Sequence, residues 1–182
     1  AAIVRFNPWV GAHGRKWRVT VGVNTFYDQA AENYHLYPKV SMQYNIIDYF
    51  LIPYAELDGI YKANSYKDIC FENPYIIPEL MVNPTDNRLN FALGFRGNIS
   101  SKIAFNIKGQ VTDISNQYFY VNDTSLLLQN KFTVVYDHVE RTRLLGEISF
   151  KTNEKLQFGL KGNYYIYKMT DELKPWHMPD YN

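Results

Sequence analysis

A polar turn that ends in Lys and is followed by strictly alternating apolar residues occurs three times along this chain. The three copies begin at Gly14, Ser100 and Asn153. Strict alternation places successive side chains on opposite faces of a β-strand. Across 17–24 one face carries Trp and three Val residues, whereas the other carries Arg, Thr, Gly and Asn. The pattern predicts strands with one apolar face and one polar face.

The same alternation predicts eight strands. They span residues 2–11, 15–28, 34–46, 50–63, 87–98, 101–121, 131–151 and 155–169. Pro8 and Pro53 weaken the first and fourth of these, because proline removes a backbone hydrogen-bond donor from a sheet. Residues 131–151 keep one register throughout. We therefore predict a single long strand there rather than a hairpin, because a one-residue slip at a turn would invert every side chain.

The predicted connections differ in length between the two ends of the strands. Those near 12–15, 47–49, 99–100 and 152–154 are brief, whereas those at 29–33, 64–86 and 122–130 are longer. Long strands that are apolar outside and polar inside, with short turns at one end and longer loops at the other, are typical of outer-membrane barrels. We therefore predict an all-β, antiparallel transmembrane β-barrel with eight of its strands in this chain.

Composition narrows the function classes. The 182 residues carry a net charge of +1 and their 19 Lys and Arg are dispersed, which argues against a nucleic-acid partner. The single cysteine, Cys70, excludes an internal disulfide. No apolar run approaches the roughly 20 residues of a transmembrane helix. The 16 Tyr suit a membrane interface, and they equally suit a soluble β-sandwich that binds sugars or lipids.

No catalytic or metal-binding constellation can be named from residue spacing. The four histidines occur singly, and neither a phosphate-binding glycine loop nor a nucleophile motif is present. We therefore predict that the chain is not an enzyme and holds no metal or cofactor.

The charged residues on the predicted polar face would line the interior of a barrel. They are Arg18, Lys39, Arg88, Arg96, Lys102, Lys108, Glu147 and Lys161. In such a barrel, lining charges tune selectivity or hold a plug through ion pairs. Their cationic excess indicates a polar or anionic partner, or acidic residues on a plug.

The long connection 64–86 is too apolar to extend freely into water. Its candidate partner contacts are Phe71, Tyr75, Ile76 and Ile77. Loops above 12–15 residues are usually functional or hold structure of their own. We expect this one to fold over the barrel mouth or to meet an extracellular protein. The alternative is that it packs against the ends of its own strands.

Five short segments carry a resemblance to a known family. They are His35-Leu36-Tyr37-Pro38, Asp48-Tyr49-Phe50-Leu51-Ile52-Pro53-Tyr54, Glu72-Asn73-Pro74-Tyr75, Tyr120-Val121-Asn122-Asp123 and Pro175-Trp176-His177-Met178-Pro179. In these segments the chain resembles the barrels of TonB-dependent-receptor-like outer-membrane proteins. The resemblance implies a plugged barrel of about 22 strands that imports scarce nutrients. It also implies a bacterial outer-membrane location and the TonB machinery of the inner membrane as a partner.

The chain departs from that family in what it lacks. We find neither a plug domain nor an N-terminal TonB-contacting segment, and 180–182 do not form the aromatic-ended strand that usually closes such barrels. Both predicted terminal strands also reach the long-loop side, whereas small complete barrels keep their termini in the periplasm. We therefore expect 1–182 to be a four-hairpin section of a larger barrel. A complete eight-strand barrel is the alternative.

The leading functional hypothesis is the barrel of an outer-membrane nutrient receptor or transporter. Its expected partners are outer-membrane lipid, a plug and TonB machinery encoded outside this chain, and a surface lipoprotein. One alternative is an outer-membrane scaffold in a surface protein assembly, without transport. The other is a soluble β-sheet protein that binds sugars or lipids.

Overall fold

A single antiparallel sheet contains all nine described strands of this chain. The computed structural model describes residues 3–47, 50–123, 130–153 and 156–170. The strands are β1 (Ile3–Phe6), β2 (Trp9–His13), β3 (Trp17–Asp28), β4 (Asn33–Tyr44), β5 (Ile52–Lys62), β6 (Thr85–Ser100), β7 (Ile103–Asn122), β8 (Phe132–Asn153) and β9 (Leu156–Met169). One helix, α1, spans Tyr66–Glu72. The prediction of an all-β antiparallel sheet is confirmed.

The first predicted strand is divided in two, which raises the count from eight to nine. Both β1 and β2 pair with β3, and the break between them falls at Asn7 and Pro8. Proline has no N–H to donate, so it interrupts the ladder. Its carbonyl still accepts a hydrogen bond from the Val23 N–H at 3.0 Å. The interruption therefore leaves β1 and β2 aligned on the same neighbour.

Residues 131–151 form one strand, as predicted. β8 is 22 residues long and pairs with β7 on one side and β9 on the other. The predicted strand at 101–121 begins two residues late, because Ser101 and Lys102 form the turn between β6 and β7. Lys102 is thus a turn residue and not, as predicted, part of a strand face.

Five register shifts interrupt the described ladder. Two lie at the turn-proximal ends of β6 and β8, at Asn98/Ser100 and Lys151/Asn153. The other three fall between Asp58 and Ile60 in β5, between Asn87 and Leu89 in β6, and between Ile114 and Gln117 in β7. A bulge adds an unpaired residue to one strand and re-aims the side chains beside it. In the shift in β7, Asn116 has a φ of 55°, which is rare for a residue other than glycine. The alternation rule therefore fails locally at these points.

The connections differ between the two ends of the sheet. We call the end of the sheet at which β2 leads to β3, β4 to β5, β6 to β7 and β8 to β9 the turn end. The loop end is the one at which β3 leads to β4, β5 to β6 and β7 to β8. The two longest connections both lie at the loop end. Of the segments singled out in the sequence, 175–179 lies outside the described residues, as do 48–49, 124–129 and 154–155.

The two faces of the sheet differ as the alternation predicts. We call one the apolar face. Its exposed side chains include Trp17, Val21, Val23, Met42, Tyr44, Leu89, Phe91, Leu93, Phe95, Ile107, Val111, Leu144, Ile148, Phe150, Phe158, Leu160, Tyr164 and Ile166. Leu93 is 54% exposed and Leu160 is 73% exposed. Within the described residues no second layer covers this face, and α1 packs elsewhere, beside the loop end of β7.

The sheet is open. Its order runs from β1 and β2 through β3 and then consecutively to β9, and the described parts of the first and last strands do not pair with each other. A closed barrel is therefore not observed. Within the described residues, no helix is long and apolar enough to cross a membrane.

Candidate functional site

A network of polar side chains lies on the other face of the sheet, which we call the polar face. Tyr54 of β5 donates from Oη to Asn106 Oδ1 of β7 at 2.8 Å, and Lys108 Nζ of β7 donates to Glu56 Oε2 of β5 at 2.8 Å. Both contacts cross β6. Cα atoms of β3 and β5 also approach within 8 Å across β4, whereas strands two apart in a flat sheet lie about 9.6 Å apart. The sheet therefore curls toward its polar face.

Two buried tyrosines tie the strands together near the loop end. Tyr37 Oη donates to Asp86 Oδ1 at 2.5 Å, and Tyr61 Oη donates to Asp28 Oδ2 at 2.9 Å. Each bond spans an intervening strand. Glycine at position 59 makes room for this arrangement, because a Cβ there would lie 2.6 Å from Cδ1 of Tyr37. The Tyr37 ring thus occupies space on the polar face that a side chain at position 59 would fill.

Seven of the eight charges predicted to line an interior lie on the polar face. They are Arg18, Lys39, Arg88, Arg96, Lys108, Glu147 and Lys161. Register with polar-face positions such as Gln43 and Gly22 places six of them there. Arg88 has no register partner at the β6 bulge and lies beside Asp86, which accepts the hydrogen bond of Tyr37. Lys102 is the exception because it lies in a turn. A groove of about 330 Å³ toward the turn end brings Arg96 and Glu147 together with Asn106. The guanidinium of Arg96 also donates to Gln43.

Carboxylates that the sequence analysis did not single out offset part of this positive charge. Glu56 pairs with Lys108, and Asp86 lies 3.6 Å from the guanidinium of Arg88. The sequence of β5 contains the pattern that identifies them, because Glu56 and Asp58 alternate with apolar residues there. The polar face is therefore a mixed-charge surface rather than the cationic lining that the predicted residues alone suggested.

The long connection at the loop end packs against its own strands. Ser65 caps α1 by accepting the Asp68 N–H at 3.1 Å, which satisfies an N-terminal backbone group of the helix. Ile69 and Ile76 are buried against Tyr120 of β7. The Ile77 N–H donates to the Phe132 carbonyl at 3.0 Å. Self-packing, the alternative in the sequence analysis, therefore accounts for this half of the loop.

The other half of the same loop faces outward. Phe71 is 89% exposed and Tyr75 is 67% exposed, so these two predicted partner contacts remain accessible. Of the four candidates, Ile76 is buried and Ile77 is half-buried. The loop thus has a fixed inner side and an open outer side.

One carboxylate holds α1 to β7. Glu72 accepts hydrogen bonds from the hydroxyls of Tyr118 and Tyr120, both at 2.8 Å. Tyr118 and Tyr120 lie seven and nine residues after Val111, which is the last exposed position on the apolar face of β7. Both tyrosines therefore lie beyond the exposed part of that face. Burial, followed by the hydrogen bond and charge of Glu72, raises the pKa of Tyr118 and of Tyr120. Both therefore stay protonated as donors.

A cleft of about 430 Å³ opens at the loop end beside this docked segment. It is lined by His35, Tyr61, Pro84, Asp86, Arg88, Ser115, Asn116, Tyr136, Asp137 and His138. The His35 ring stacks on the Tyr61 ring with centroids 3.9 Å apart. The lining combines aromatic rings with hydrogen-bonding groups of both charges, which are the components of a site for a small polar ligand.

A serine and a histidine that line this cleft lie in series with an aspartate, Asp113, which does not line it. Ser115 Oγ lies 3.4 Å from His138 Nδ1, and Nε2 of the same ring lies 3.3 Å from Asp113 Oδ1. The Asp113 oxygen is buried and accepts no aligned hydrogen bond. Sequence reasoning missed this series because His138 lies 23 residues from Ser115 along the chain. Within the described residues, no group of His, Cys, Asp and Glu could hold a metal.

Comparisons with known proteins add nothing to this geometry. No family model, no curated protein and no solved structure matches the chain. The resemblance to TonB-dependent receptors therefore stays a prediction.

Proposed function

We propose that this chain is a section of the outer-membrane β-barrel of a nutrient receptor or transporter that resembles TonB-dependent receptors. The observation that carries the proposal is the uncovered apolar face. Monomeric water-soluble proteins rarely leave a contiguous apolar patch of more than a few hundred Å² exposed. Lipid is the covering that suits rows of Val, Leu, Ile and Phe on long antiparallel strands.

The polar face supports the same proposal. Hydrogen-bonded tyrosines, carboxylates and cations suit the water-filled or plugged interior of a barrel and would be costly against lipid. The curl of the sheet toward this face has the sense that a barrel needs. A mixed-charge lining would contact a plug or a polar nutrient equally well.

The open edges support a barrel larger than the nine described strands. In lipid every backbone N–H and C=O needs an internal partner, so a spanning sheet has to close. The described parts of β1, β2 and β9 have neighbours on one side only. Further strands on both sides would complete the ladder, as in a barrel of about 22 strands.

Lipid contact can be tested by depth-dependent quenching. Single cysteines would replace Leu93 on the apolar face and Ser41 on the polar face of the whole protein, in a Cys70→Ser background. Each would be labelled with bimane and reconstituted in vesicles that contain phospholipids with a nitroxide on the acyl chain. We expect strong quenching at position 93 and weak quenching at 41. Equal, weak quenching at both positions would refute the membrane assignment.

Transport can then be separated from a scaffold role. A strain of the source organism that lacks the gene would be grown with one limiting nutrient at a time. A growth defect confined to one nutrient, restored by the whole gene, is the result expected of a receptor. Normal growth on every nutrient, with loss of a surface protein that otherwise co-purifies, would favour the scaffold instead.

A further inference from the structure

The Ser115–His138–Asp113 series opens onto a cleft large enough for a small substrate. We propose that these residues form a hydrolytic site that cleaves a small, polar carboxylic ester bound at the loop end. The proposal goes beyond transport and does not depend on it. It rests on three features: the series itself, the cleft that Ser115 and His138 both line, and the unusual backbone beside the serine.

The local backbone explains why the serine is presented to the cleft. Ser115 and Asn116 of β7 stand against the single residue His138 of β8 in the register shift between Ile114 and Gln117. Asn116 has a positive φ of 55°, a left-handed conformation that asparagine tolerates better than most residues with a side chain, and this conformation sets the path of the chain beside Ser115. The Asn116 carbonyl is held by the Thr85 hydroxyl at 3.0 Å. The bulge is thus fixed by a neighbouring strand.

The distances are close to those of a hydrolytic site. Nucleophile and base are typically 2.6–3.2 Å apart, and the separation is often longer before substrate binds. The 3.4 Å between Ser115 Oγ and His138 Nδ1 lies just above that range. Asp113 Oδ1 lies 3.3 Å from Nε2 without an aligned hydrogen bond, so it acts on the imidazole through its charge. A proton held on Nε2 leaves the Nδ1 lone pair free for the serine proton, and Asp113 is therefore a positioning residue.

The reaction balances with water as the only co-reactant. Ser115 Oγ attacks the ester carbonyl carbon, and its proton passes to His138 Nδ1. The bond from the carbonyl carbon to the alcohol oxygen then breaks, and the imidazolium returns its proton to the departing alcohol. Water attacks the resulting acyl-serine through the same base, which releases the carboxylic acid and restores the serine.

The cleft limits the substrate. Its volume of about 430 Å³ admits only a small molecule. The side chain of Arg88 is 61% exposed and lines the same cleft as Asn116, so both offer N–H donors to a polar acyl group or to the oxyanion. The stacked His35 and Tyr61 rings line the same cleft. A polar ester is therefore favoured over a long aliphatic one.

A fluorophosphonate probe tests the site directly. Attack by an activated serine forms an oxygen–phosphorus bond, expels fluoride and transfers the serine proton to the base. On the folded whole protein we expect mass spectrometry to find the adduct on Ser115. Ser115→Ala should abolish it, and His138→Gln should slow it by about 10²-fold or more. Ser149→Ala, which alters the groove at the turn end, is the matched control and should label normally.

The role of Asp113 needs a separate readout. With p-nitrophenyl acetate as the substrate, Asp113→Asn should lower hydrolysis and Asp113→Glu should restore part of it. Unchanged circular dichroism in each variant shows that the sheet has folded. A folded wild-type protein in which Ser115 takes up no probe, or whose ester hydrolysis is unaffected by Ser115→Ala, would overturn the proposal. Neither result would bear on lipid contact by the apolar face.

Discussion

Placing a charge at the centre of the apolar face is the sharpest test of what covers it. Leu93 lies on β6, in the middle of the sheet, and pairs with Ala55 on one side and Gly109 on the other. Its side chain is 54% exposed, and its neighbours in the same row are Phe91 and Phe95. Leu93→Arg therefore exposes a guanidinium to the medium that contacts the apolar face, lipid or water, without creating a buried cavity.

The size of the effect separates lipid from water. An arginine on the lipid face near the midplane of the bilayer costs about 2–4 kcal/mol. A surface substitution in water usually changes stability by no more than about 0.5 kcal/mol. The lipid-facing cost lowers the folded-to-unfolded ratio by about 30- to 700-fold, because each 1.4 kcal/mol is a factor of ten. Lipid and water thus predict losses in the free energy of unfolding that differ several-fold.

The measurement is denaturant unfolding of the whole protein in phospholipid vesicles, followed by Trp fluorescence. Ser41→Arg is the matched control, because Ser41 is exposed on the polar face and pairs with Glu56, which would accept the charge. We expect the control to stay within about 0.5 kcal/mol of the wild type. A Leu93→Arg protein that is equally stable, or more stable, would show that lipid does not cover this face.

Three further predictions concern the loop end. Tyr61→Phe removes the donor to the buried Asp28 carboxylate, and equilibrium unfolding should show a loss of about 1–3 kcal/mol; no loss would mean that the contact is replaced by water. Ile76→Ala should loosen the docked loop by about 2–5 kcal/mol and speed chymotrypsin cleavage at Tyr75, whereas unchanged cleavage would contradict self-packing. The folded state raises the pKa of Tyr120, so the contribution of this tyrosine to the free energy of unfolding should be full below about pH 10. That contribution should decline as the pH rises further. Glu72→Gln should make the decline shallower when unfolding is measured across alkaline pH, and an unchanged decline would contradict the role of Glu72.

Much of the sheet could be predicted because strand periodicity is a local property. The single register of 131–151 identified β8 as one strand, and the alternation at 17–24 separated the two faces of β3. The count of strands was wrong by one, because the position of Pro8 could not show whether the chain rejoins the same neighbour after the break. The start of β7 was early because Lys102 belongs to a turn of only two residues.

The candidate sites were less predictable, because they depend on which strands meet and where the bulges fall. Alternation placed Lys108 on the polar face, but only the pairing of β5, β6 and β7 brings it to Glu56, 52 residues away. The sequence also allowed two interpretations of the loop 64–86, contact with a partner or packing against its own strands. Only the folded chain shows that Ile76 is buried and Phe71 is exposed. Amino-acid composition predicts neither the contact of Lys108 with Glu56 nor the burial of Ile76.

The amino-acid sequence by itself determined that this chain forms long antiparallel strands with one apolar and one polar face, because neighbouring residues in a strand always point to opposite sides. Only the tertiary structure decided what the polar side chains do. A register shift in β7 brings Ser115 to His138 and the cleft, and tyrosines reach across intervening strands because the sheet curls. Both depend on long-range pairing, which no local pattern encodes.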